Sequence, residues 1–121
     1  MKSQATIRSD VYNALKNNIT LTDRIYWLGS PSIHNTYPLV IYSLLDTRGD
    51  YSFCGKLSEL VQIQVDIYTD PSDIGTMDSY GDAVKEAMEG INYQLISSQA
   101  ELYLPEINKV MRATRWEWYN V

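Results

Sequence analysis

Asp70, Asp73, Asp78 and Asp82 lie close together in the chain and are candidate oxygen ligands for a hard cation. The calcium loop is the motif such a spacing could serve. With Asp70 as its first position, the third is Ser72, the fifth Ile74, the sixth Gly75 and the twelfth Gly81, where a bidentate Glu is required. Two ligand positions fail. The four acids read better as negative charge at the start of a helix and along its solvated face.

Other chemistry is thinner still. His34 is the single histidine, in a Ser32-Ile33-His34-Asn35 segment that reads as surface loop, so no two-histidine metal pair can form. Cys54 is the single cysteine. It could serve as a nucleophile only beside a base, and a partly buried structural thiol is the simpler reading. No Gly-rich phosphate loop follows a strand, and no nucleophile elbow is present. We therefore expect no enzyme: no catalytic residue, no cofactor and no metal.

A binding chemistry is suggested at the C-terminus, where Lys109, Arg112 and Arg115 accompany Trp116, Trp118 and Tyr119. Basic and aromatic neighbours can neutralise phosphates and stack on bases. In an extended segment, however, Arg112, Thr114, Trp116 and Trp118 share one face, while Arg115 shares the other with Glu117 and Tyr119, and Glu117 dilutes that patch. A terminal strand packing its tryptophans against the core or a neighbouring subunit is the stronger reading. A small nucleic-acid-binding module using this Arg/Trp segment is the alternative.

The whole chain bounds these choices. Its 121 residues, 45% hydrophobic and 21% charged, suit one globular domain spanning residues 1–121. A formal charge of -5 argues against nucleic-acid binding as the main activity, because counterion release needs a basic surface. One cysteine excludes an internal disulfide, so stability must come from packing. No apolar stretch approaches the roughly 20 residues that span a bilayer, and the first residues lack the apolar run of a secretory signal. A soluble protein made in a cytoplasm, with no membrane partner, is expected.

The elements that must position these residues are legible from periodicity. Val61, Ile63, Val65 and Ile67 alternate strictly with Gln62, Gln64, Asp66 and Tyr68, as a half-buried strand requires. The run ends at Asp70-Pro71-Ser72-Asp73, where Asp70 can cap a helix and Pro71 suits its first position. Ile74, Met77, Tyr80, Val84, Ala87 and Met88 then recur at helical spacing up to a stop at Gly90, although Gly75 and Gly81 weaken that helix.

Upstream, Ile7, Val11, Ala14 and Leu15 share one face of a first helix that Ser3 can cap, and residues 24–28 read as a short strand. Residues 38–45 form a nearly continuous apolar run, which predicts a strand near the middle of the sheet, covered on both faces or covered on assembly. Residues 46–56 read as a Gly-rich polar connection, mobile in the isolated subunit. Downstream, residues 92–97, 101–104 and 109–119 read as extended. The order predicts an α+β fold, a mostly antiparallel sheet with two helices packed on one face.

In that order and spacing, the chain resembles the tail-terminator and tail-completion proteins of long-tailed bacteriophages. Four segments carry the resemblance: Ile7-Arg8-Ser9-Asp10-Val11-Tyr12, Arg24-Ile25-Tyr26-Trp27, Tyr37-Pro38-Leu39-Val40-Ile41-Tyr42-Ser43, and the run from Val61 to Thr69 that enters the second helix. The C-terminal segment with Trp116, Trp118 and Tyr119 matches nothing in that pattern. The resemblance implies a virion protein that forms a homo-hexameric ring on the head-proximal end of the tail tube, stops tube growth and offers a head-joining surface. A head-side neck connector or stopper is the nearest rival.

Implied partners are other copies of the chain, the major tail tube protein and a head-completion protein, with DNA only passing through the lumen. Six copies at -5 would bring a formal charge of about -30 to the ring, which suits DNA passage without sticking, as does solubility alone. A closed ring needs two different patches on each subunit. The expected subunit or tube interface is Arg48, Asp50, Tyr51, Phe53 and Lys56 in the connection, with Trp116 and Trp118. Tyr51 and Phe53 would act as anchors unless they fold back over their own core.

Overall fold

A strand flanked on both sides by other strands, with one face apolar, must bury that face or lose it to water. This is the position of β3 (Gly55–Thr69), which pairs antiparallel with β2 (Leu39–Ser52) on one side and β6 (Lys109–Asn120) on the other. Val61, Ile63, Val65 and Ile67 are all fully buried. Burial of each such side chain is worth about 1.5–3 kcal/mol. The computed structural model describes residues 2–19, 24–28, 37–52, 55–99 and 101–120.

The covering layer consists of two helices. α1 (Gln4–Asn18) begins where the Ser3 hydroxyl accepts the Thr6 backbone N–H at 3.2 Å, and it buries Ile7, Val11, Ala14 and Leu15. α2 (Ile74–Gly90) buries Met77, Tyr80, Val84, Ala87 and Met88 in the same cluster. Among the described residues the sheet is six-stranded: β1 (Ile25–Trp27), β2, β3, β6 and β4 (Gln94–Ser98) follow in that order, with β5 (Leu102–Leu104) also paired to β6. Apart from the parallel β1–β2 pair, every pairing is antiparallel. The α+β class expected from sequence is the class found.

Two local expectations need correction. Residues 46–52 and 55–56 are no loose connection: β2 and β3 continue there as paired strands, with Arg48 opposite Leu60, Asp50 opposite Ser58 and Ser52 opposite Gly55. Polar and Gly-rich composition hid the strand, because the segment shows no apolar/polar alternation from which a strand could be read. The second helix starts at Ile74, and its N-cap is Asp73, whose carboxylate accepts the Thr76 hydroxyl at 2.6 Å. Asp70-Pro71-Ser72 forms the preceding turn, with the Asp73 N–H bonded to the Asp70 carbonyl. In the subunit, β2 is buried at Leu39, Val40 and Tyr42 but only half-buried at Ile41, Ser43 and Leu44, so its second face is not fully covered.

Gly90 ends α2 as expected, yet the left-handed residue that closes it is Asn92, with φ 70°. The Tyr93 N–H reaches the Met88 carbonyl and the Asn92 N–H that of Glu89, both at 3.0 Å, the paired bonds of a Schellman motif. At the far end of the chain, the Asn120 amide accepts the Lys2 N–H at 2.8 Å and donates to the Lys2 carbonyl at 2.9 Å. This clamp ties the approach to α1 onto the end of β6.

The Thr69 hydroxyl is buried, with the residue 1% exposed, and has no hydrogen-bond partner among the described residues. Thr69→Val keeps the β-branched shape and removes the orphan, so urea unfolding is expected to show a gain of about 1 kcal/mol; a loss would mean that the hydroxyl is satisfied in solution. A methyl group at Gly75 would meet no atom within 4 Å. Gly75→Ala is therefore expected to raise stability by about 0.4–1 kcal/mol, checked as a higher thermal midpoint.

Candidate interaction surfaces

The described residues expected from sequence to form an interface lie on two parts of the sheet, the β2–β3 ladder and β6. Arg48, Asp50, Tyr51 and Lys56 belong to the β2–β3 ladder, with Tyr51 paired to Lys56 across it. Phe53, His34 and Cys54 lie outside the described residues. Trp116 is 1% exposed and is the largest fully buried side chain, in the cluster between sheet and helices. Its indole N–H donates to the Thr114 hydroxyl at 2.8 Å. In the subunit Trp116 is thus a core residue, as a terminal strand packing its tryptophan inward requires.

Trp118 is half-buried and is engaged by its own chain. Its ring stacks on Tyr93 with centroids 5.7 Å apart, and the Lys2 ammonium lies 5.5 Å from its centroid. Lys2 also pairs with Asp10 at 2.7 Å. These groups line a cleft of about 480 Å³ between α1 and the end of α2. Burial pushes the Tyr93 hydroxyl far above the usual tyrosine range, with Asp10 adding to the effect.

The C-terminal basic residues are dispersed too. Arg112 lies on the helix side of β6, where it pairs with Asp78 at 2.8 Å and with Glu101. The Glu101 hydrogen bond is the main cause holding the guanidinium pKa up, and the same bond holds the Glu101 carboxyl down. Gly81 leaves room for this arginine: a methyl group there would stand 2.8 Å from the Arg112 Nη1. Lys109 bonds Asp70 at 2.6 Å and lies 4.7 Å from the centroid of the Tyr37 ring. With Trp116 in the core and both of these cations paired to acids, the segment does not form the stacking platform that a nucleic-acid module would need.

The sheet face away from the helices carries a polar chain. Arg115 Nε donates to the Gln64 side-chain oxygen at 3.2 Å, and the Gln64 amide donates to Asp66 at 2.8 Å. Burial pushes the Asp66 carboxyl above its ordinary value, while the Gln64 hydrogen bond and Arg115 pull it back.

What the sequence reading missed is the edge formed by β4 and β5. Leu95, Ile96, Leu102, Tyr103 and Ile107 are each 45 to 53% exposed along or just beyond it. At the opposite edge, Trp27, Leu28 and Leu45 are also exposed. The available signal was the absence of any charge in Gln94-Leu95-Ile96-Ser97-Ser98, since an outer strand in a free monomer ordinarily carries a charge or a proline.

Because burial makes ionised Asp66 the less stable form in the fold, the stability linked to its protonation is complete below the ordinary value of 3.8 and is lost as pH rises through the higher folded value. Asp66→Asn keeps an oxygen facing Gln64 and carries no charge. It is expected to melt higher than the parent at neutral pH, with the gap closing near pH about 3. A parent more stable than the variant at neutral pH would show that Arg115 outweighs desolvation.

No family model matches the chain, and no curated protein matches it. Among solved structures, one chain of the "Virion of native gene transfer agent (GTA) particle" is similar at a TM-score of 0.62 and 15% identity. The match covers 95% of this chain and 96% of that one. At that identity the likeness establishes a shared fold over almost the full length of both.

Proposed function

We propose that this chain is a structural protein of a phage-like virion that assembles into a ring of about six copies on the head-proximal end of the tail tube. There it stops tube growth and offers the surface to which the head joins. The observation that carries this reading is the fold shared, nearly residue for residue in length, with a chain of a gene transfer agent virion. The four sequence segments that resemble tail-terminator proteins support the same role. They lie in α1, β1, β2 and β3, the framework of the fold.

The physical requirements of the role fit the surfaces described above. A cyclic ring is held by a heterologous contact, in which one patch meets a different patch on the next copy. This subunit carries two unlike open edges, the β4–β5 edge and the β1–β2 edge, each with exposed apolar side chains. Residues 46–52 and 55–58 continue the β2–β3 ladder and suit contact with the tube or with a neighbour. The partners are further copies of the chain, the major tail tube protein and a head-completion protein. The formal charge of -5 per copy lets DNA pass without adhering.

Light scattering across a range of concentrations, followed by negative-stain imaging, is expected to show the mass of about six subunits and a ring with a central hole. Mixed with tail tubes, the ring should cap one tube end; a ring that ignores tubes and binds a portal-side connector would instead assign it to the neck. A species that stays monomeric at every concentration, and also with tubes present, would overturn the proposal.

A further inference from the structure

The two sheet edges differ in a way that indicates how copies join. Free edges of natural sheets are guarded by charge, proline, short length or bulges, because unpaired N–H and C=O groups otherwise recruit another strand. β4 has no charged residue and no proline, and all five of its residues are exposed. β5 is likewise uncharged, with Leu102 and Tyr103 about half exposed. One bulge, at Ile96, interrupts the β4 ladder. The two strands lie end to end along β6, β4 opposite Thr114 to Glu117 and β5 opposite Lys109 to Met111. They form one outer edge about 30 Å long at the usual rise per residue.

The other edge has a matching opening. β1 pairs with β2 only at Val40, Ile41 and Tyr42, and the Leu28 N–H adds one bond to the Tyr42 carbonyl. From Ser43 to Ser52, β2 is paired with β3 alone, and among the described residues no strand occupies its other side. This free edge is also about 30 Å long. Its outer part is a two-stranded ribbon, a structure that is marginal in water unless a further strand or layer joins it. Asp46, Arg48 and Asp50 belong to this strand, whereas β4 and β5 contain no charged residue.

We propose that the uncharged β4–β5 edge of one copy takes the free β2 edge of the next copy as an added strand, so that neighbouring subunits share one continuous sheet. The inference rests on the ring-forming reading and deepens it by naming the contact. Main-chain hydrogen bonds supply affinity, while the exposed side chains of Leu95, Ile96, Leu102 and Tyr103 supply the apolar contact that selects this edge. Because the two edges are unlike, each copy keeps one of each to offer. The contact propagates head to tail until the rotation between copies closes the ring.

Cross-linking tests the contact directly, because Cys54 is the single cysteine and can be removed as Cys54→Ser. In that background, one variant carries Ser97→Cys on the β4 edge, one carries Arg48→Cys on the β2 edge, and a third carries both. A short bismaleimide is expected to give a ladder up to the full ring for the double variant and only monomer for each single variant. Dimers from Ser97→Cys alone would reveal a symmetric β4–β4 contact and overturn the proposal. Rings in light scattering without any ladder would overturn it while leaving the ring itself standing.

A second variant pair guards against misfolding as an explanation. Ile96→Lys with Leu102→Lys places charge on two half-exposed positions, so the melting transition should be retained while the ring mass falls to that of a monomer. Retained melting with an undiminished ring would overturn the proposal. A wild-type chain that never assembles, by contrast, would overturn the ring-forming reading itself.

Discussion

Everything in this fold depends on the two-sided pairing of β3. Its apolar residues Val61, Ile63, Val65 and Ile67 point to one face, and pairing with β2 and β6 places Val40, Tyr42 and Trp116 beside them. Because side chains in a strand alternate with a period of two, a slip of one residue would turn the whole set toward water. The register is therefore fixed by burial, and α1 and α2 have one apolar surface on which to settle. The N-terminal clamp between Lys2 and Asn120 follows from that register, because it needs the end of β6 beside the start of α1.

With both helices on one face, the other face and both edges must be managed by other means. The open face carries the Arg115, Gln64 and Asp66 chain, polar enough to stand near water. Ion pairs stitch the periphery: Lys109 to Asp70 joins the start of β6 to the turn before α2, and Arg112 to Asp78 and Glu101 joins β6, α2 and the approach to β5. These contacts hold the position of β5 and α2 more than they add stability, since exposed pairs are worth about 1 kcal/mol or less. The β4–β5 edge carries no charged residue and exposes apolar side chains, whereas Asp46, Arg48 and Asp50 fall on the β2 strand at the other edge.

Much of the candidate site was not legible from residues alone. Trp116 and Trp118 look equivalent in the sequence, and both fall on the same side of β6. Trp116 sits opposite Ile63 near the middle of β3 and is sealed by the helices, whereas Trp118 sits near the rim and stacks on Tyr93. Position along the strand decided between them. In the same way, Arg112 and Arg115 are three residues apart, yet one is tied to acids on the helix side and the other bonds a glutamine on the open face.

By itself the sequence determined the α+β class, both helices, the Ser3 cap, the stop at Gly90 and the central strand, because these follow from local periodicity and capping chemistry. Only the tertiary structure decided that residues 46–52 and 55–56 pair as strands, that Asp73 and not Asp70 occupies the N-cap position of α2, and that β4 and β5 lie end to end as an uncharged edge. Strand pairing joins residues far apart in the chain, as Lys2 meets Asn120 and Leu95 meets Trp116, and no local spacing encodes such a meeting. Which face is buried can be read from a single strand. Which edge is free depends on the order in which all six strands are laid down.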